Sequence, residues 1–441
     1  MIREIDISKQ ARRLRILRVV DYVFVILCGQ FLLGILSAAS RAAGDEPGAV
    51  RIAVLVAVAV LGFAVYTGYR HVGVIDARVW RTDVISLPIL AVIFLTAAAF
   101  LGLVGLVDYL NGREFKDEQL LALMSAVYFF WVAVVACAAF VSVLLLKRSR
   151  VAPVDLPLVE FLSRLRRGSG RRAGDAERID APRGIALGAG AIAIFLFLVL
   201  IPVDRPNIIF HFLFLLSLYL LLRARMCFQV DADSLLAVDK RRPILFLRSF
   251  DDDTKAEYSK VNKVILDFSL ETRLSNHFSH FGPFIAVGDP YETTPQIGAA
   301  RAHLSEQEWQ TKVVGWISEA NIIVLYAGTS RWINWELEKV IDMGQAEKLI
   351  LLIPEVKAKD KAGRTQEVSA RLGRVRGIIK NTSWAGAVTA LRDGPDIRAL
   401  VFEPDESLTV MRSGLGNRDS YHLAALVAHY LIVNRTPTSV A

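Results

Sequence analysis

Cysteine is nearly absent. The 441 residues hold three, Cys28, Cys137 and Cys227, two inside apolar runs and one just after the last. That number and spacing provide neither a disulfide framework nor a cysteine metal site. The seven histidines make no metal motif either: His277 and His280 stand three apart on a helical stretch without further ligands. A clustered basic stripe is also missing. The formal net charge is +8, yet residues 240–441 carry 26 Lys and Arg against 24 Asp and Glu. The excess lies in residues 1–239, with 26 against 20, so the high pI does not mark a nucleic-acid-binding face.

Residues 1–228 carry long apolar runs. A bilayer-crossing helix needs about 20 mostly apolar residues. Six segments reach or approach that length: 19–39, 50–69, 84–107, 123–146, 185–203 and 208–222. The last two are separated only by Asp204-Arg205-Pro206-Asn207 and read as a tight helical hairpin. The first has no small-residue cleavage site and reads as an anchor. Lys and Arg gather in alternate loops: the N-terminal tail, residues 70–81, residues 147–183 (ten of them) and the tail after 222. Positive-inside bias then places both termini in the cytoplasm. Asp21 and His211 lie near span ends, and no charged pair sits at mid-membrane. An anchoring and oligomerising bundle is therefore expected over a transport path.

From residue 240 the pattern changes to alternating short apolar runs and helical periodicity. Strands are expected at 244–247, 284–287, 322–326, 349–353 and 398–402, with helices over 258–280, 305–319, 332–345, 367–380 and 421–433. The 305–319 helix is expected to open on a capping box, Ser305 to Glu308. Strands buried on both faces read as continuous apolar runs, and alternation with helices implies a doubly wound parallel sheet. The expected architecture is an α-helical membrane bundle of about six spans (1–228), a juxtamembrane linker (229–242) and a cytoplasmic α/β domain (243–441) of flavodoxin-like type.

The octapeptide Ser330-Arg331-Trp332-Ile333-Asn334-Trp335-Glu336-Leu337 follows the third of these strands after a short turn. Ser330 is a natural helix N-cap. Trp332 and Glu336, four apart, share one helical face. A carboxylate and an aromatic ring thus come just past the C-terminal end of a strand, where open α/β sheets bind ligands.

Three motifs resemble the Toll/interleukin receptor (TIR) domain. Leu247-Arg248-Ser249-Phe250-Asp251-Asp252-Asp253 is similar to its first box. The loop from Gly288 to Gly298 stands where that family has a mobile loop after its second strand, though it is longer and its Pro and Gly are not adjacent. Ser330-x-Trp332-x-x-x-Glu336-Leu337 matches the family's S-x-W-x-x-x-E-L pattern at each defined position. The resemblance covers residues 243–355 best, and the segment from Gly298 to Trp309 is similar to a bacterial membrane-anchored subgroup.

The resemblance implies cleavage of NAD at the nicotinamide–ribose bond, with Glu336 catalytic. Ser249, Phe250, Trp332, Arg301 and Asp289 are the expected substrate contacts. NAD is a substrate, and no cofactor or metal is expected. Partners are the lipid bilayer and further copies of the chain, and the location is a plasma (inner) membrane. Each residue also has a plainer reading: Trp332 as packing, Arg301 as a surface arginine, Asp251 to Asp253 as a solvated helix flank. A second function class stays open, a non-catalytic module for self-association or recruitment with Glu336 structural. A channel-like effector is a weaker third.

Overall fold

The computed structural model describes residues 1–16, 181–200, 208–248, 270–288, 298–304, 308–328, 330–354, 361–416 and 418–435, with isolated positions and short pieces between 19 and 157. The chain divides into two units: residues 1–12, 165–196 and 211–441 form one, and residues 13–164 and 197–210 the other. The described part of the second unit includes a short antiparallel ladder, Arg150–Val151 against Leu156–Pro157.

The first unit is built on an eight-stranded, mostly parallel sheet. Its strands are β1 (Ile2–Asp6), β2 (Ile244–Leu247), β3 (Phe284–Gly288), β4 (Ala300–His303), β5 (Ile322–Tyr326), β6 (Leu349–Leu352), β7 (Ile397–Phe402) and β8 (Leu408–Arg412). Its helices are α1 (Ala181–Leu200), α2 (Ile208–Cys227), α3 (Ala232–Val238), α4 (Leu270–Phe278), α5 (Trp309–Glu319), α6 (Arg331–Asp342), α7 (Lys361–Ile379), α8 (Ala385–Ala390) and α9 (Arg418–Val433). The strand order is β1-β8-β7-β6-β5-β2-β3-β4. β2, β6 and β7 are buried at every position, which is why they appear in the sequence as unbroken apolar runs.

Helices cover both faces. Trp316 and Ile317 of α5, Leu337 and Val340 of α6, and Leu372 and Val375 of α7 pack in one core with Leu245, Ile323, Leu351 and Leu400. On the other face Phe278 of α4 stacks on Phe284, which stacks on Phe246. α9 lies against β6 and β7 on that side.

The expected parallel sheet is present with three additions and one reversal. β7 runs antiparallel to β6, and β8 antiparallel to β7. The reversal follows from the connection. α7 carries the chain from the carboxyl edge of β6 to the opposite edge, where Trp384 Nε1 donates to Glu403 O just past the end of β7. α8 and residues 391–396 then bring it back, so β7 starts at the carboxyl edge. An apolar run carries no sign of its direction. β8 follows a tight turn in which Asp405 Oδ1 accepts from Ser407 N–H and O–H. β4 and β1 are the other additions, and β1 comes from the N-terminal tail expected with the membrane half. It pairs in parallel with β8 from Ile2↔Leu408 to Asp6↔Arg412.

The expected capping box at Ser305 does not start α5. That helix begins at Trp309, and its N-cap Glu308 makes no side-chain cap bond.

α1 and α2 pack antiparallel. A Cβ at Gly184 would lie 3.0 Å from the Phe228 ring and one at Gly188 3.9 Å from Ala224 Cβ. Ser217 Oγ donates to Ala191 O at 2.9 Å. Among the described residues no helix is long and apolar enough to cross a membrane. Nearly all of the first four expected spans, and the turn between α1 and α2, lie outside the described residues.

β1 should be separable from the rest. Ile5 is 3% exposed and anchors it. Ile5→Ala is expected to cost about 2–5 kcal/mol of strand docking. Hydrogen exchange should then speed up at Leu408 N, which donates to Met1 O, with α6 amides unchanged.

Candidate functional site

Strand order reverses beside β2. From β2 the chain moves to β3 on one side and returns as β5 on the other. The connections therefore diverge above the carboxyl ends of β2 and β5, which is where an open α/β sheet leaves a crevice. Arg248 follows β2, and Ala327 and Gly328 follow β5, leading to α6.

Ser330 caps α6 as expected: its backbone is extended and its Oγ accepts from Ile333 N–H at 3.3 Å. The buried residues of α6 are Ile333, Glu336, Leu337 and Val340, the i, i+3, i+4, i+7 stripe of a core-facing helix. Glu336 thus occupies a position where the pattern asks for an apolar residue. It is 6% exposed, and its Oε2 makes no hydrogen bond among the described residues. Burial pushes its carboxyl up to about 8, with no charged partner among the described residues to oppose the shift. At neutral pH it is mostly the neutral acid.

Trp332 lies one turn earlier on α6. It is 44% exposed and meets Trp309 edge-on at 5.2 Å, and Trp335 meets the same ring at 4.9 Å. The Arg331 guanidinium lies 4.3 Å from the Trp332 centroid. Four residues of α-helix rotate the side chain by about 40°, enough to send Glu336 inward and leave Trp332 half in solvent.

Arg301 is neither at the surface nor uncommitted. It lies on β4, 4% exposed, with Nη2 on both oxygens of Glu271 at 2.7 and 2.8 Å. Arg248 Nη1 reaches Glu271 Oε2 at 3.2 Å, and Ala299 N–H donates to Oε1 at 3.0 Å. Burial alone would raise Glu271, but the two arginines and the amide hold it below its ordinary value. Gly298 closes this cluster. Its φ is +155°, and a Cβ there would lie 2.5 Å from Glu271 Oε1.

Two buried glutamates therefore sit in opposite states. Glu271 is ionised between two guanidinium groups and fixes the exit of β2 to the start of β4. Glu336 is neutral and has no ionic partner among the described residues. Environments that separate two carboxyl groups in this way are a mark of functional sites. Ser249, Phe250, Asp289 and the Asp251 to Asp253 run lie outside the described residues. Glu271 is the residue the sequence reading missed. Its partners lie 23 to 30 residues away, and nothing local marks it. Among the described residues no group of His, Cys, Asp and Glu could hold a metal ion.

Compared with known proteins, the chain matches no family model, no curated protein and no solved structure.

Two substitutions test this geometry. Gly298→Ala drives a methyl group into the Glu271 carboxylate and should destabilise by about 1–3 kcal/mol. Gly315→Ala, with open space around it in the interior of α5, should instead gain about 0.5–1 kcal/mol. Glu336 titrates higher in the folded state, about 8, than its unfolded value of 4.5. Its support for the fold is full below pH 4.5 and is lost as pH rises through 8. Glu336→Gln keeps the shape and removes the titration. It should lie near the wild type in stability at pH 5 and exceed it at pH 8, by on the order of 4 kcal/mol.

Proposed function

We propose that the crevice at β2 and β5 cleaves NAD at the nicotinamide–ribose bond, with Glu336 as the catalytic carboxyl of a TIR-like domain. The observation that carries this reading is the buried carboxyl of Glu336, without an ionic partner among the described residues, on the helix that follows β5 where the strand order reverses. A group so placed costs stability, and a ligand that favours its charged form recovers that cost. Nicotinamide in NAD is such a ligand, because its pyridinium ring is cationic.

The chemistry balances as follows. The bond from ribose C1′ to the pyridinium nitrogen breaks, and its electron pair leaves with neutral nicotinamide. Positive charge passes to the ribose as an oxocarbenium. Water adds at C1′ and releases a proton, giving ADP-ribose. Glu336, ionised by the bound cation, orients the ribose hydroxyls and offsets the charge that develops on the sugar. Trp332 supplies an aromatic wall.

The non-catalytic module remains the second reading. It expects Glu336 buried against an arginine or lysine. Glu336 is buried, but no such partner stands beside it among the described residues. The enzyme expects Glu336 open to a cleft beside Ser249; the carboxyl is instead buried and Ser249 lies outside the described residues, so the missing cationic partner is what supports the enzyme here.

Residues 1–228 are read as the membrane bundle of a multi-pass protein. Two observations support an even number of crossings and an apolar setting. β1 joins the same sheet as β2 to β8, the arrangement that an even number of crossings requires. Ile185, Ile192, Phe212 and Leu221 of α1 and α2 are exposed.

The test is nicotinamide release from NAD by the full chain in membranes or densely packed detergent particles, with Glu336→Ala alongside. Release is expected from the wild type and not from the variant. Because free Glu336 titrates near 8, kcat/KM should rise with pH to that point, and kcat should reach half-maximum at a lower pH. No release from folded, clustered protein would leave the module.

A further inference from the structure

α4 meets α9 through polar side chains. Arg273 and His277, four apart, share one face of α4. Arg273 Nη1 donates to Asp419 Oδ1 at 2.9 Å, and both side chains are buried. His277 Nε2 lies 3.0 Å from His429 Nδ1, within hydrogen-bonding distance. His429 is fully buried. His277, partly exposed as a residue, sets its ring against His429, Phe278 and Phe281. The same two phenylalanines flank the His429 ring at 5.2 and 4.4 Å. His429 Nε2 makes no hydrogen bond among the described residues.

One hydrogen joins the two rings. With both histidines neutral, one of the facing nitrogens donates and the other accepts. A single added proton, on either ring, still leaves one donor facing one acceptor. A second makes both facing nitrogens donors and sets two charged rings against each other at 3.0 Å. The closed contact therefore has no arrangement for the doubly charged pair.

The surroundings do not offset that charge. Among the described residues no carboxylate pairs with either ring. Asp419 on α9 is held by Arg273, and Glu271 at the start of α4 by Arg301 and Arg248. Just beyond α4, Arg241 donates to His280 O and Ser279 O and pairs with Asp239. Beneath α9, β6 is wholly apolar, and β7 brings Arg398, which donates to main-chain oxygens. His280 and His422 add further positive charge when protonated. Burial, then the neighbouring His429, His422 and His280, hold His277 well below its ordinary 6.5, and burial pushes His429 down to about 3.

We propose that this pair is a proton-sensitive latch: as pH falls, charging of both His277 and His429 releases α4 from α9. Glu271 stands in the first turn of α4, so release loosens the tie between the β2 exit and β4. Both histidines titrate lower in the closed contact than in an open one. The contact is therefore full above pH 6.5 and weakens as pH falls below it. Each histidine favours the open state about tenfold more at pH 5.5 than at pH 7.5, and the two together about a hundredfold. The latch does not depend on the chemistry proposed for Glu336.

The experiment is hydrogen exchange on the full chain in neutral detergent between pH 5.5 and pH 7.5, with rates corrected for the pH dependence of a free amide. The reporters are the Ser279 and Phe281 amides, which donate to Ser275 O and Phe278 O. The Met343 amide, which donates to Lys339 O in α6, is the reference. Wild-type protection at the reporters should fall about a hundredfold from pH 7.5 to pH 5.5, with the reference changed by less than about threefold. His277→Gln keeps a donor toward His429 and removes one titration, so the fall should shrink to about tenfold. His277→Phe combined with His429→Phe makes the pair apolar and should hold the fall under about threefold. A wild-type fall below about tenfold would overturn the proposal. So would an equal fall in the wild type and His277→Gln, which would assign the effect to other groups. An equal fall at Met343 would mean global unfolding and would overturn it too.

Discussion

The carboxyl group of Glu336 is held in the core stripe of α6 with no hydrogen bond to Oε2 among the described residues. Burying an unpaired carboxyl disfavours its charged form, so the group stays neutral at ordinary pH. Ile333, Leu337 and Val340 on the same stripe supply the packing that offsets that cost. Glu271 shows what the same side chain does when partners are provided. Between Arg248 and Arg301 it is ionised, and it ties together β2, α4 and β4. One glutamate is spent on architecture and the other has no ionic partner among the described residues.

The sheet also joins the two ends of the apolar half. Its β1 edge comes from the tail that precedes residue 19. At the β4 edge Asp231 bridges in parallel to Arg301, immediately after α2, and α3 packs on β4. The β4 edge is thus covered by the segment that follows α2, and β1 from the N-terminal tail extends the sheet at the other edge. Open strand edges invite pairing with other chains, and covering the β4 edge in this way limits it there. The same covering brings the end of α2 to Arg301, and Arg301 to the Glu271 cluster at the β2 exit.

Much of the fold was legible because burial leaves a plain signature. The runs at 244–247, 284–287, 322–326 and 349–353 correspond to β2, β3, β5 and β6. Ser330 is the N-cap that its residue type and place suggested. The misses have separate physical causes. β4, Ala-Arg-Ala-His, has little β propensity and is held by neighbours rather than by its own pattern. β8 follows a Pro-Asp-Glu-Ser turn after an apolar run, a hairpin signal present in the sequence and not used. β1 pairs with residues some 400 positions away, and no local pattern reports that. Ser305 and Glu308 fit a capping box by spacing, yet α5 begins after them. Within the site, Glu336 and its helix were legible from spacing. Its protonation state was not, since that depends on what surrounds it in three dimensions, and Arg301 was misjudged because its partner Glu271 lies 30 residues away.

Glu336 rests as a buried, neutral acid. Infrared difference spectroscopy of the carboxyl stretch, wild type minus Glu336→Gln, titrated from acid to alkaline pH, reads that group directly. A neutral acid gives a protonated carboxyl band at neutral pH that disappears with a midpoint near 8. A band already lost by pH 5, with a midpoint near the ordinary 4.5, would instead show an ionised, partnered glutamate.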